Sequence, residues 1–160
     1  MAINTAKAEV EKFVLDHLAA FEAGDLDRWG AGMTDDIFMI AADPAEAIAG
    51  RAAILTELHK DFDPAFGAGL KLSIKPTFNS IGVSKDLNTA WTAHVLAYTI
   101  MFGADTIKFT LRNTNVLIKQ NDRWRIVAAN YSRPISQPEM KEKGDWKLTQ
   151  AHISVGVPDA

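Results

Sequence analysis

The sequence predicts an α+β domain, with N-terminal helices packed on one face of a bent antiparallel sheet. Two observations carry that prediction. Up to Phe62 most apolar side chains recur at helical spacing, whereas from Leu70 onward long segments rich in Val, Ile, Thr, Phe and Tyr follow one another. The turns between those later segments are short and polar, so neighbouring strands should pair antiparallel. At 160 residues the chain fits one domain.

Asn4 or Thr5 can cap a first helix that runs to about Ala23 and stops at Gly24. Val10, Phe13, Val14, Leu18 and Phe21 form its buried stripe. Asp25 suits the N-cap of a short second helix, Leu26 to about Met33, which carries Trp29. Ile37 to Ala42 is apolar throughout and reads as a strand, turned by Asp43-Pro44 and answered by a short second strand. A third helix opens at Gly50-Arg51 and runs through Phe62, leaving Pro64 to Gly69 as a loop. Three long strands follow within residues 70–84, 89–102 and 106–119, and Arg123 to Ser132 makes a fourth.

Composition narrows the function. Seventeen Lys plus Arg against 20 Asp plus Glu give a net charge of −3, which argues against a nucleic-acid partner, since neutralising phosphates needs a basic face. The absence of cysteine excludes disulfides, thiolate metal sites and a cysteine nucleophile. The four histidines, His17, His59, His94 and His152, show no metal-ligand spacing, and no glycine-rich phosphate loop, nucleophile elbow or dinucleotide fingerprint is present. No metal and no cofactor are therefore expected. The N-terminus lacks the basic start and apolar run of a signal peptide and no stretch approaches a membrane span, so a cytoplasmic protein without membrane contact is expected.

Particular words, in their order, resemble the nuclear transport factor 2-like superfamily, nearest its SnoaL-like branch. AAFEAGDLDRW (Ala19 to Trp29) is similar to that family's exit from helix one. DDIFMIAADPAEAIAGRAAI (Asp35 to Ile54) resembles its first hairpin and the Gly-Arg helix start, and NTNVLIKQNDRWRIVAANYS (Asn113 to Ser132) its last two strands. The resemblance spans roughly residues 8–135. It implies a cone, cystatin-like in fold, whose curved sheet wraps a small-molecule pocket closed by helices, usually in a homodimer. It also implies either cofactor-free isomerase, dehydratase or cyclase chemistry or a non-catalytic binding or assembly module.

Against that background some residues become candidates. His17 sits in the apolar stripe of the first helix, where ketosteroid-isomerase relatives place a catalytic tyrosine; Asp43 ends the first strand near where such relatives place their base. Both also have plainer readings, a packed core histidine and an Asp-Pro turn opener. Phe21, Trp29, Tyr98, Arg112 and Asn130 are the candidate ligand-binding residues: aromatic walls, a phenol, a cation for an anionic group and an amide where the SnoaL-like pattern commonly has histidine. If Arg112 faces inward it needs a partner there. Asn130 shares strand parity with Ile126 and Ala128. Parity cannot say which face of the strand carrying His94 and Tyr98 looks inward.

One sequence feature is repeated. DRWRIVAANYS (Asp122 to Ser132) and GDWKLTQAHIS (Gly144 to Ser154) share Trp, a base, an aliphatic residue, Ala and Ser, with Asn130 in one copy and His152 in the other. The first copy is read as the closing strand of a domain spanning 1–135. Residues 136–160 are read as a connector and an extra strand, Trp146 to Val155, of the same domain.

Overall fold

A computed structural model describes residues 2–41 and 47–134. The expected strand in Trp146 to Val155, with His152, and the candidate base Asp43 lie outside the described residues. Within them the chain runs α1 (Ala2–Glu22), α2 (Leu26–Ala31), β1 (Met33–Ile40), β2 (Ala47–Ala49), α3 (Arg51–Gly67), β3 (Lys71–Val83), β4 (Thr89–Phe102), β5 (Asp105–Gln120) and β6 (Arg123–Ser132). The strands form one sheet in the order β2-β1-β6-β5-β4-β3. Helices on one face of a curled sheet make the α+β arrangement that the sequence predicts and the cone that the resemblance implies.

The sheet departs from the prediction in one pairing. Four of its five strand pairs are antiparallel, but β1 and β6 run parallel, Met33 beside Ile126 and Ile40 beside Asn130. Parallel neighbours need a long crossover, and here everything from β2 to β5 supplies it. Register breaks in β1, in β3 at Pro76–Phe78 and between β5 and β6 at Val116–Leu117 bend the sheet where long flat strands would splay. Tight turns hold the meander: Gly103 (φ 59°) lies between β4 and β5, and Asn121 and Asp122 (φ 50° and 59°) join β5 to β6 as a two-residue connection with both residues left-handed.

α1 lies across the hollow of the sheet. Val10, Val14 and Leu18 are buried as the spacing predicts, each contributing on the order of 2 kcal/mol. Its ends are tied down by side chains. Glu9 accepts from Lys119 Nζ (3.1 Å) and Trp124 Nε1 (3.3 Å), while Glu22 accepts from the backbone N–H of Ile74 (3.2 Å). Asp25 caps α2 by accepting from the Arg28 N–H (3.1 Å), and β1 starts directly afterwards at Met33, earlier than expected. α3 also outruns its prediction, continuing through Pro64 to Gly67. Pro64 removes one helical donor, but Phe62 and Phe66 extend an aromatic cluster with Phe21, and the Phe66 ring fills the space beside Gly24. That packing offsets the lost hydrogen bond.

Candidate functional site

The even-numbered residues of β4 from Ala90 to Tyr98 are buried, so this is the face that looks into the cone. Opposite them in register stand odd-numbered residues of β5: Tyr98 against Phe109, Leu96 against Leu111, His94 against Asn113 and Thr92 against Asn115. β6 is more subtle. Ile126 pairs with Leu117, but Ala128 pairs with Val116, so Val127 is an extra residue that breaks the alternation. Beyond it Ala129 and Tyr131 face inward, while Ala128, Asn130 and Ser132 face outward.

The open part of the cone is a pocket of about 220 Å³. Leu18 and Phe21 come from α1, Trp29 from α2, Leu58 and Phe62 from α3, and Met39 and Ala41 from the end of β1 and just beyond it. The sheet adds Leu72, Ile74, Tyr98, Ile100, Phe109, Leu111 and Tyr131. Among the described residues no lining side chain carries a charge at neutral pH. The polar atoms of those described side chains are two phenol hydroxyls and the Trp29 indole N–H. Tyr98 stacks on Phe109 with ring centroids 5.0 Å apart. Burial pushes the Tyr131 phenol up to about 12; burial, with Tyr131 adding to it, pushes Tyr98 higher still. Both hydroxyls therefore keep their protons and can donate hydrogen bonds at any physiological pH.

The sequence candidates separate into three groups. Phe21, Trp29 and Tyr98 line this pocket. Arg112 and Asn130 do not: Phe109 and Leu111 take the inner face of β5, which turns Arg112 outward, and the bulge at Val127 turns Asn130 outward. Arg112 Nη2 donates to the Arg133 carbonyl at 3.3 Å, and its Nε is buried without a partner. A different cation meets the pocket wall, since the Arg133 guanidinium lies 5.7 Å from the Phe109 ring. His17 is buried beside the pocket rather than lining it. Its ring stacks between Phe13 (5.8 Å) and Trp29 (5.1 Å), part of an unbroken run that continues through Phe21 and Phe62 to Phe66. Neither imidazole nitrogen has a hydrogen-bond partner, and burial holds its pKa down to about 3 against a weak opposing pull from the Trp29 backbone. The ring is neutral.

Sequence reasoning missed Tyr131, Phe109, Leu111 and Met39. The first was hidden by the bulge, because the Val-Ala-Ala run that contains it has no alternation to break. Among the described residues no group of three or more His, Asp or Glu is placed to hold a metal, and no helix is long and apolar enough to cross a membrane.

A family model described as SnoaL-like domain matches residues 10–136. Among solved structures, a nuclear transport factor 2-like protein with a cystatin-like fold from Novosphingobium aromaticivorans aligns with a TM-score of 0.70 at 15% identity, covering 88% of this chain and 90% of that one. A candidate dehydratase of the same superfamily from Streptomyces avermitilis gives 0.70 at 14% identity, covering 83% and 99%. A protein from Catenulispora acidiphila in complex with S-DNPA gives 0.67 at 16% identity, covering 79% and 91%. No curated protein matches. At these identities the likeness is one of fold.

Proposed function

The chain belongs to the SnoaL-like domain family, and on that premise we propose that it binds a compact, neutral, largely apolar molecule of one or two rings. The observation that carries this is the pocket's chemistry: fourteen described lining residues with no charge among them and two protonated phenols. An ionised ligand would lose its hydration there without a counter-charge, which is costly. A carbonyl or ether oxygen would instead meet a phenol donor, worth about 1 kcal/mol net. The volume, about 220 Å³, exceeds the roughly 150 Å³ of a cavity that accepts benzene. 1-Tetralone, a neutral bicyclic ketone, is a suitable probe by isothermal titration calorimetry. It should bind at least tenfold more tightly than 1-naphthoate, its anionic counterpart in size; equal or tighter naphthoate binding would sink the neutral-ligand reading.

A second reading, acid–base turnover without a cofactor, is favoured by one sequence fact: Asp43 follows the lining residue Ala41 by two positions. A carboxylate there would remove a proton next to the ligand carbonyl while Tyr98 or Tyr131 donates to the developing oxyanion. His17 is the weaker candidate for the proton carrier, being stacked away from the pocket. Tetralone in deuterated buffer should exchange its C2 protons faster with wild type than with Asp43→Asn. Exchange at the buffer rate for both would leave a binding module.

The expected homodimer is proposed to use the outer face of the sheet, where Phe38, Trp91 and Val116 are exposed. Trp91 lies over Gly82 of the neighbouring strand, leaving a flat aromatic surface. Light scattering should report a dimer for wild type and a monomer for Trp91→Asp.

A further inference from the structure

We propose that the chain carries a second, separate site, which binds a phosphate group at the start of β1. Met33, Thr34 and Asp35 at that end of the strand, Arg51 at the head of α3, Gln120 and Asn121 at the β5–β6 turn and Arg125 on β6 enclose a cavity of about 220 Å³ whose surface is almost wholly polar. It lies at the opposite end of β1 from Met39 and Ala41, roughly 20 Å from the apolar pocket along the strand.

Three features make this a built site. The first is a pair of immobilised cations. Arg125 Nη1 donates to the carbonyls of Ala31 (2.7 Å) and Met33 (3.3 Å), and Arg51 Nη1 reaches the same Met33 oxygen (3.4 Å). Two guanidinium groups on one carbonyl stand side by side, an arrangement that repels unless an anion lies between them. The chain supplies only part of that anion. Asp35 pairs with Arg51 but is 86% exposed, and Arg125 has no acidic partner among the described residues. The second feature is Thr34, 3% exposed, a residue that borders this cavity and whose hydroxyl, closed off from solvent, has no hydrogen-bond partner. Buried hydroxyls are normally satisfied. The third is the head of α3, where Gly50 as N-cap offers no side-chain acceptor to the first-turn N–H groups.

Donors thus approach from two elements, guanidinium from α3 and guanidinium from β6, with the Gln120 and Asn121 amides also lining the cavity. A planar carboxylate meets one guanidinium edge well. A tetrahedral group with three free oxygens can meet both guanidinium groups and a Gln120 or Asn121 amide at once, so phosphate is the better fit. Asp35 is then a built-in competitor for Arg51.

That competition gives the test a signature. Inorganic phosphate should bind wild type saturably, with a dissociation constant of roughly 1 mM, by ³¹P NMR titration at pH 7.5 against sodium chloride of matched ionic strength. Asp35→Asn removes an exposed ion pair and should tighten binding about two- to fivefold. Arg51→Gln, whose bond to Met33 is long and so least needed for folding, should weaken it at least fivefold. Glycerol 3-phosphate distinguishes the sources: binding as tight as inorganic phosphate means the site accepts the phosphoryl end of a metabolite, and binding only of the free ion means it does not. No saturable phosphate binding by folded wild type overturns the proposal, as does Asp35→Asn binding no tighter than wild type while Arg51→Gln still binds.

Discussion

The inner face of β4 and β5 is two surfaces in one. Towards the β4–β5 turn it presents Tyr98, Ile100, Phe109 and Leu111, all bordering open space. Past the buried Leu96 it presents Thr92, His94, Asn113 and Asn115, all buried among other atoms. The polar half is largely satisfied from within. Asn115 Nδ2 donates to Asn113 Oδ1 (2.7 Å) and to Thr92 Oγ1 (3.0 Å), and Asn113 Nδ2 donates to Asn115 Oδ1 (3.1 Å) and to the Asn130 carbonyl (3.2 Å). Hydropathy alone would put the binding site at the polar half and the filler at the apolar half. The structure distributes open space the other way round: the polar groups consume one another, and the cavity is where the surface is greasy. What remains unspent in the polar half is His94, whose two nitrogens lack partners.

Leu96 is the boundary, fully buried between the halves. Leu96→Ala should cost about 3 kcal/mol of stability by urea unfolding, and should let the pocket accept a larger or more polar probe than tetralone. A full stability loss with no change in ligand range would mean the two halves are not adjoining space.

Acid should distinguish buried histidine from buried phenol. His17 is held near 3 and His94 near 4, in both cases chiefly by burial, against an ordinary value of 6.5. In the unfolded chain they take up protons below about 6.5 that the folded chain refuses, so stability is intact above that pH and is lost as pH falls towards the folded values. At pH 5 His17 and His94 should each account for about 2 kcal/mol. His59, half-buried and raised chiefly by its hydrogen bond to Asp63, with burial opposing and Asp27 adding a lesser pull upward, works the other way. Replacing His17 with Phe should flatten the decline between pH 6.5 and 5; an unchanged slope would place the titrating group elsewhere.

The two smallest effects probe each half directly. Asn115→Ala orphans the Thr92 hydroxyl and half of Asn113, for a loss of about 1.5 kcal/mol with tetralone affinity unchanged. Tyr98→Phe should do the reverse, leaving the unfolding midpoint nearly alone while weakening tetralone about fivefold, the equivalent of about 1 kcal/mol. If both variants move both readouts, the division between the halves is not real.

The polarity change along β5 was visible in the sequence: Ile107, Phe109 and Leu111 give way to Asn113 and Asn115 on one face. Its meaning was not, since a mutual amide pair and an exposed polar edge look alike in a string of letters. The helical stripes, the turn signals and the meander were legible because spacing encodes them locally. Tyr131 and the outward turn of Arg112 and Asn130 were not, because each depends on a neighbour strand: one extra residue opposite Val116 decides what β6 shows the pocket. Pro64 misled for the same reason, its local veto being overruled by Phe62 and Phe66 packing with Phe21.

The parallel seam between β1 and β6 has a consequence in time. Met33 finds its partner Ile126 only after every strand between them has been synthesised, so on the ribosome β1 waits with a bare edge while β3, β4 and β5 can already pair. The strand that brings Tyr131 is the last of the six to emerge. The pocket is thus a late product of synthesis, and a nascent chain halted before β6 would display its greasy wall with nothing to close it, a natural client for a chaperone before it is a receptor for any ligand.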